Sequence, residues 1–412
     1  MYGLIDCNNF YVSCERVFNP GINNQAVIVL SNNDGCVIAR SNESKLLGLK
    51  MGDPYFKVRQ FCKNHQVHVY SSNYALYADL SRRVMQIIQQ HIQDVEIYSI
   101  DEAFVRIETQ EKNLYQFGLE IKDIIKQQVG IPVSIGFAPT KVLAKIANHI
   151  AKKRTQTHVF CLYKPIEIQQ VLSTFLASDI WGVGEKTAEK LKKFGIISAS
   201  ELCQSSDQLI RRYFNINIQR IIIELRGIPC SDLSKPTNKK TIVASRSFGK
   251  KVKQVHELIE AISCHAARAS EKLRQQNSFC SSAQIWLMAK INGENKYFNA
   301  VFKFSHPTQD SRVIIKSAVA SLKTIYQSNA VYKKSGIMLL ELNNNTQPDM
   351  FSNTTAVNDT NKAMEVMDNL NQKMGKNTIF IASQGVDRLW DMRRIYCSPR
   401  YTTCWDELLK VR

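Results

Sequence analysis

The chain has 412 residues, room for two or more domains, and carries 54 Lys and Arg against 36 Asp and Glu, a formal charge of +18. No apolar run approaches a membrane span, the start Met1-Tyr2-Gly3-Leu4-Ile5-Asp6 lacks a basic leader, and the 11 cysteines show no framework spacing. A membrane-spanning protein and a secreted disulfide scaffold are set aside, and the expectation is a cytoplasmic protein with reduced thiols. Tyr2–Asp6 then reads as a strand ending on a carboxylate. Residues 26–70 follow as an insertion with a strand at Ala26–Leu30, a turn at Asn32–Gly35 and a short helix near Ser41–Leu47. Within it Cys62, His65 and His68 stand at zinc-like spacing, but a structural site needs a fourth ligand and no second Cys/His pair is near.

An apolar stripe of Leu76, Leu80, Val84, Ile87 and Ile88 predicts a helix over Asn73–His91. Strands are expected at Val95–Tyr98 and Ala103–Ile107, a helix at Leu114–Val129 stopped by Gly130, and a strand at Pro132–Phe137. The order β-α-β-β-α-β is that of the ferredoxin-like split unit, which sets the first strand beside the middle hairpin. Asp6 and the turn Ser99-Ile100-Asp101-Glu102 then share one edge. Adjacent carboxylates repel one another and call for a cation. Three of them form an oxygen cage suited to two Mg²⁺ ions, which stabilise an in-line displacement at phosphorus.

Further on, Trp181–Ala188 reads as a helix-hairpin-helix, with Gly182 and Gly184 opening the backbone to a phosphate and Lys186 on the helix behind. A linker at Ser234–Lys240 precedes a second β-α-β-β-α-β pattern: Thr241–Phe248, Val255–Gln275, Ser282–Ile291, Lys296–Phe304, a helix near Ser311–Tyr326, and Gly336–Leu342. From Ser231 to Glu341 there are 18 Lys and Arg against 7 Asp and Glu, more than half of the whole excess. A sheet with Lys and Arg spaced along it can track a phosphate backbone without reading bases, and Arg246, Lys250 and Lys251 are the candidates here. Asn343–Asn361 is polar and reads as a disordered tether. Gln347-Pro348-Asp349-Met350-Phe351 inside it carries two apolar anchors, as a docking peptide would. A helix near Lys362–Met374 and a strand at Thr378–Ala382 complete the pattern.

These residues resemble the Y-family, or translesion, DNA polymerases, and within them the UmuC-type catalytic subunit of bacterial DNA polymerase V. The resemblance rests on Asp6 with Phe10-Tyr11, on 29–40 (VLSNNDGCVIAR), Met51–Pro54, Ser71–Tyr74, Glu96–Phe104, Thr140-Lys141 and Ser398–Thr403. It implies an α+β fold with a ferredoxin-like palm (1–25 and 71–165), inserted fingers (26–70), a helical thumb (166–233) and a ferredoxin-like little finger (241–342). A clamp-binding tether (343–361) and a UmuC-type C-terminal region (362–412) follow. The implied metal ligands are Asp6, Asp101, Glu102 and the Cys7 carbonyl. Tyr11 matches the steric gate against a 2′-hydroxyl. Phe10, Ala39, Asn42, Lys45 and Lys152 fall at the nucleotide site, Asn42 replacing a Tyr common in relatives. Gln347, Met350 and Phe351 match a motif for the sliding clamp. The other implied partners are primer-template DNA, deoxynucleoside triphosphates, a processed UmuD-type dimer and a RecA filament.

Two other classes fit parts of the pattern. A nucleotidyl cyclase shares the split unit and its carboxylates but needs neither the hairpin nor the basic segment. An inactive polymerase-like bridge between clamp and DNA could lose its carboxylates, whereas Asp6, Asp101 and Glu102 are all present.

Overall fold

The computed structural model describes residues 1–108, 114–234, 237–344 and 354–408, except the side chains of 354–361. Its strands are β1 (Tyr2–Cys7), β2 (Val27–Leu30), β3 (Val37–Arg40), β4 (His68–Ser71), β5 (Asp94–Ile97), β6 (Glu102–Arg106), β7 (Val133–Ala138), β8 (Val159–Cys161), β9 (Ile242–Val252), β10 (Phe279–Ile291), β11 (Glu294–Thr308) and β12 (Val331–Asn343). The chain divides into two compact units. One comprises Met1–Ser31, Gly35–Lys235 and Tyr396–Arg412; the other comprises Asn32–Asp34 and Pro236–Ile395.

In the first unit the sheet order is β5-β6-β1-β7-β8. β1 pairs antiparallel with β6 and β7, as the ferredoxin-like order requires. Successive residues of β1 face opposite sides. Ile5 and Cys7 enter a core with the helices Tyr74–His91 and Leu114–Val129. Tyr2 and Leu4 enter a second core with the helix Lys141–Arg154. Covering on both faces explains why β1 is apolar without alternation. The helices Phe10–Phe18 and Lys141–Arg154, the strand β8, and the helix Tyr55–Asn64 lie beyond the sequence reading.

The helix Lys141–Arg154 lies very close to the sheet. A Cβ at Gly136 of β7 would fall 2.1 Å from the Asn148 backbone nitrogen. Asn148 fixes that approach, its Nδ2 donating to the carbonyls of Leu4 (3.2 Å) and Ser134 (2.6 Å). The 26–70 insertion has its own three-stranded sheet, β3-β2-β4, and a small core around Ile28, Leu30, Tyr55 and Cys62.

The second unit keeps the expected succession of elements, with both helices packed on one side of the sheet. Its strand order differs from that of the first unit. The sheet runs β11-β10-β12-β9, so β12, the fourth strand, separates the first two, where a ferredoxin-like sheet has its third there. Both orders are antiparallel and split each crossover by one strand, so hydrophobic alternation is the same for each.

Two expectations about the C-terminal part are corrected. A helix spans Thr354–Met374, so the polar tether reaches less far than Asn361. Thr378–Ala382 is not a strand: the Asn371 side chain takes both the N–H and the carbonyl of Ile379, at 2.9 and 2.8 Å. Beyond it, buried Trp390 donates to Glu260 at 3.2 Å, and its carbonyl accepts from the Gly249 N–H at 3.1 Å. Asp368 pairs with Arg274 at 2.6 Å.

Candidate active site

β1 and β6 carry the acidic edge. Asp6 and Glu102 are direct cross-strand partners, and the Cys7 N–H donates to the Asp101 carbonyl at 2.9 Å. The turn before β6 is tied by Ser99, whose Oγ accepts from the backbone N–H groups of Asp101 (3.2 Å) and Glu102 (3.0 Å). The same hydroxyl donates to Asp101 Oδ1 at 2.6 Å.

The three carboxylates meet along the backbone, and their side chains turn to separate partners. Among the described residues no three His, Cys, Asp or Glu side chains cluster tightly enough for one ion. Asp6 turns to Lys152, and Glu102 to Lys145, whose Nζ lies 3.2 and 3.1 Å from its two oxygens. Like charges diverge onto the nearest cations. Burial, opposed by Lys152 and aided by Glu102 and Asp101, pushes the Asp6 carboxyl up to about 6. The acids therefore sense one another. An oxygen-only set of this kind fits Mg²⁺, which uses one or two carboxylates together with substrate phosphates and does not need an all-protein cage.

Lys141, Lys145 and Lys152 share one face of the Lys141–Arg154 helix, and each pairs with an acid of the sheet: Glu96, Glu102 and Asp6. The spacing i, i+4, i+11 in the sequence could have signalled this row. Lys145 also lies 4.8 Å from the Tyr98 ring centroid and 5.2 Å from that of Trp181.

A second cationic group lies in the insertion. Lys45 Nζ donates to Asn9 Oδ1 (2.7 Å) and Asn42 Oδ1 (3.0 Å). Desolvation, then Arg40, Lys152 and Lys153, hold the Lys45 ammonium below its ordinary pKa. Arg40 adds a buried Nε with no hydrogen-bond partner among the described residues. Such a crowd of cations favours a polyanion. Asn42 thus joins Lys45, while Ala39 sits half-buried in β3. Phe10 is buried in the core, and the half-buried Tyr11 begins the same helix.

The remaining expected positions are mixed. Gly182 has φ of +91°, and Gly184 caps the helix Glu185–Lys193 with Lys186 exposed. What precedes the hairpin is a single 3-10 turn, Ala177–Asp179, and not a full helix. In β9 the side chains of Arg246, Lys250 and Lys251 are exposed, but Arg246 pairs with Asp391 (3.0 Å) and Lys250 with Glu257 (2.9 Å). Cys62 is buried, His65 stacks on Phe61 and His68 meets Gln25. Gln347, Met350 and Phe351 lie outside the described residues. All 11 cysteines are free thiols, and no described helix is long and apolar enough to cross a membrane.

Protein UmuC of Salmonella typhimurium is 41% identical over 422 aligned residues, covering 100% of both chains. The chain belongs to the impB/mucB/samB family. That family's model matches residues 5–149, its C-terminal domain model matches 239–350, and a domain of unknown function matches 361–411. Protein MucB of Escherichia coli is 38% identical over 98% of each chain. DNA polymerase IV of Bacillus velezensis is 25% identical over 91% of each. Among solved structures, a Y-family DNA polymerase chimera of Dbh and Dpo4 superposes with a TM-score of 0.65 at 20% identity, covering 84% of this chain and 99% of its own. An insertion ternary complex of Dbh DNA polymerase gives 0.54 at 20% identity, again over 84% and 99%. The impB/mucB/samB chain therefore has the Y-family polymerase fold, and the resemblance in its motifs is borne out.

Proposed function

We propose that this chain is an error-prone translesion DNA polymerase that adds deoxynucleotides to a primer 3′-end opposite damaged template. The observation that carries the reading is the cross-strand pairing of Asp6 with Glu102, one residue from Asp101, beside a helix that sets Lys145 and Lys152 against them. Two Mg²⁺ ions held by Asp6, Asp101, Glu102 and the Cys7 carbonyl would lower the pKa of the primer hydroxyl and neutralise triphosphate charge. Lys45 and Lys152 neutralise the β- and γ-phosphates as pyrophosphate leaves. Tyr11 excludes the 2′-hydroxyl, and the small side chain of Ala39 leaves room for a damaged base.

The 26–70 insertion serves as fingers, the Gly182–Gly184 hairpin as a thumb contact to phosphate, and the basic second unit as a little finger. On the open face of that unit's sheet, Trp286 stacks near Tyr297 at 6.0 Å, with Lys334 5.0 Å above its ring. That surface suits a nucleic-acid backbone. Gln347, Met350 and Phe351 dock the sliding clamp. The full-length likeness to a UmuC protein supports a processed UmuD-type dimer and a RecA filament as further partners in SOS mutagenesis.

The test is primer extension beside DNA binding for Asp101→Ala and Glu102→Ala. Both variants should lose incorporation by at least a hundredfold and keep primer-template affinity within about threefold. Incorporation close to wild type in either would remove the two-metal assignment.

A further inference from the structure

The Tyr11 ring lies on that of Tyr77, with centroids 4.6 Å apart and planes 17° from parallel. Tyr74 meets it edge-on at 6.0 Å. A gate that excludes one hydroxyl must hold its ring to within about 0.5 Å, so whatever fixes Tyr77 also fixes the gate. Tyr77 is fully buried and its hydroxyl donates to Glu15 Oε1 at 2.6 Å. That oxygen accepts a second bond, 3.1 Å, from Ser398 Oγ.

Ser398 is gripped in turn. Asn73 Nδ2 donates to its carbonyl (3.3 Å), its hydroxyl (3.0 Å) and the Pro399 carbonyl (3.0 Å). Asn73 also caps the helix that bears Tyr74 and Tyr77. Close by, Tyr401 stacks on Phe18 at 4.4 Å and 9°, and Thr402 Oγ1 donates to Asp79 at 2.9 Å. Glu15, Asn73, Tyr77 and Ser398 are all buried. A core that needed only packing would place an apolar side chain at position 15. A buried carboxylate is tolerated only when donors converge on it, and such a network admits one arrangement of its members.

We propose that the C-terminal segment Tyr396–Thr403 is a positioning element of the sugar gate, with Ser398 acting through Glu15 and Tyr77 on the ring of Tyr11. The inference rests on reading Tyr11 as that gate. It gives a role to part of the stretch matched by a domain of unknown function.

Ser398→Ala deletes one donor to Glu15 and leaves Asn73 its two carbonyl acceptors. Tyr77→Phe deletes the other donor and keeps the stacked ring. Two variants on opposite sides of Glu15 keep the test decidable if one folds poorly. In the full-length chain, the ratio of kcat/KM for a deoxynucleotide to that for the matching ribonucleotide should fall about three- to tenfold in each, the scale of one hydrogen bond. The change should enter through the ribonucleotide KM, with deoxynucleotide incorporation within about twofold of wild type. In a Tyr11→Ala background, Ser398→Ala should change the ratio no further. If Tyr11→Ala relaxes the ratio but neither variant does, the positioning role is overturned. If Ser398→Ala relaxes it equally in the Tyr11→Ala background, Ser398 acts by another route and the proposal fails. If Tyr11→Ala itself leaves the ratio unchanged, the gate reading fails and takes this inference with it.

Discussion

Gly136→Ala tests the packing that carries two of the site's lysines. The added methyl would lie 2.1 Å from the Asn148 nitrogen and 2.6 Å from the Ala147 carbonyl carbon, both helix backbone. The Lys141–Arg154 helix must retreat by roughly 1 Å before that contact is relieved. Overpacking by one methyl costs about 1–3 kcal/mol. Retreat also stretches the two bonds that Asn148 makes to β1 and β7, each worth about 1 kcal/mol. The expected loss is about 2–4 kcal/mol, or a fall in Tm of roughly 5–15 °C for a unit of this size. Differential scanning should show the first unit's transition moving and the second unit's holding still. Because Lys145 and Lys152 ride on that helix, the KM for the incoming nucleotide should rise in parallel. A Gly136→Ala protein melting within a degree of wild type would refute the close approach and the reasoning built on it.

Other outcomes follow from single features. Burial pushes the Glu15 carboxyl from 4.5 to about 6 in the fold, so the native state holds this proton to higher pH than the unfolded chain. The stability linked to it is complete below pH 4.5 and lost as pH rises through 6, about 2 kcal/mol in all; Glu15→Gln should remove that decline from urea-unfolding curves at pH 4.5 and 7. Gly182→Ala places a side chain at φ of +91° and a Cβ 2.7 Å from Ile221 Cδ1, so primer-template affinity in a filter-binding titration should drop several-fold, and unchanged affinity would remove the hairpin from the DNA surface. Met350→Ala with Phe351→Ala should weaken clamp binding at least tenfold and leave single-nucleotide insertion within twofold; lowered Tm at unchanged clamp affinity would instead assign the pair to internal packing.

The helices Leu114–Val129 and Val255–Gln275 match the sequence reading to the residue because each has an unbroken 3.6-residue stripe. The acidic edge was legible for a topological reason: a split unit sets Asp6 opposite Glu102 whatever their side chains then do. The pairing of those side chains with lysines was not, since helix Lys141–Arg154 stands out in the sequence only by the short motif Thr140-Lys141. The uninterrupted apolar run of β1 already demanded a second covering element, and that was the available clue. The strand order of the second sheet was illegible in principle, because either order leaves the same alternation. Charge counting found the basic segment but not that Arg246 and Lys250 have acidic partners of their own. Trp390 and Ser398, far along the chain, announce nothing locally about the surfaces they fill.

The bond between Glu15 and Ser398 joins residues 383 positions apart. Synthesis proceeds from the amino terminus, so the carboxylate exists through nearly the whole of elongation before its second donor does. At about 5–20 residues per second that interval lasts roughly 20–80 s. The first unit can collapse around β1 in that time, but with a pocket open behind Tyr77 that only the segment around Ser398 can fill. Any nascent chain that stalls late would hold its carboxylates, its lysines and its DNA-binding surface, and still lack the segment behind the ring of Tyr11.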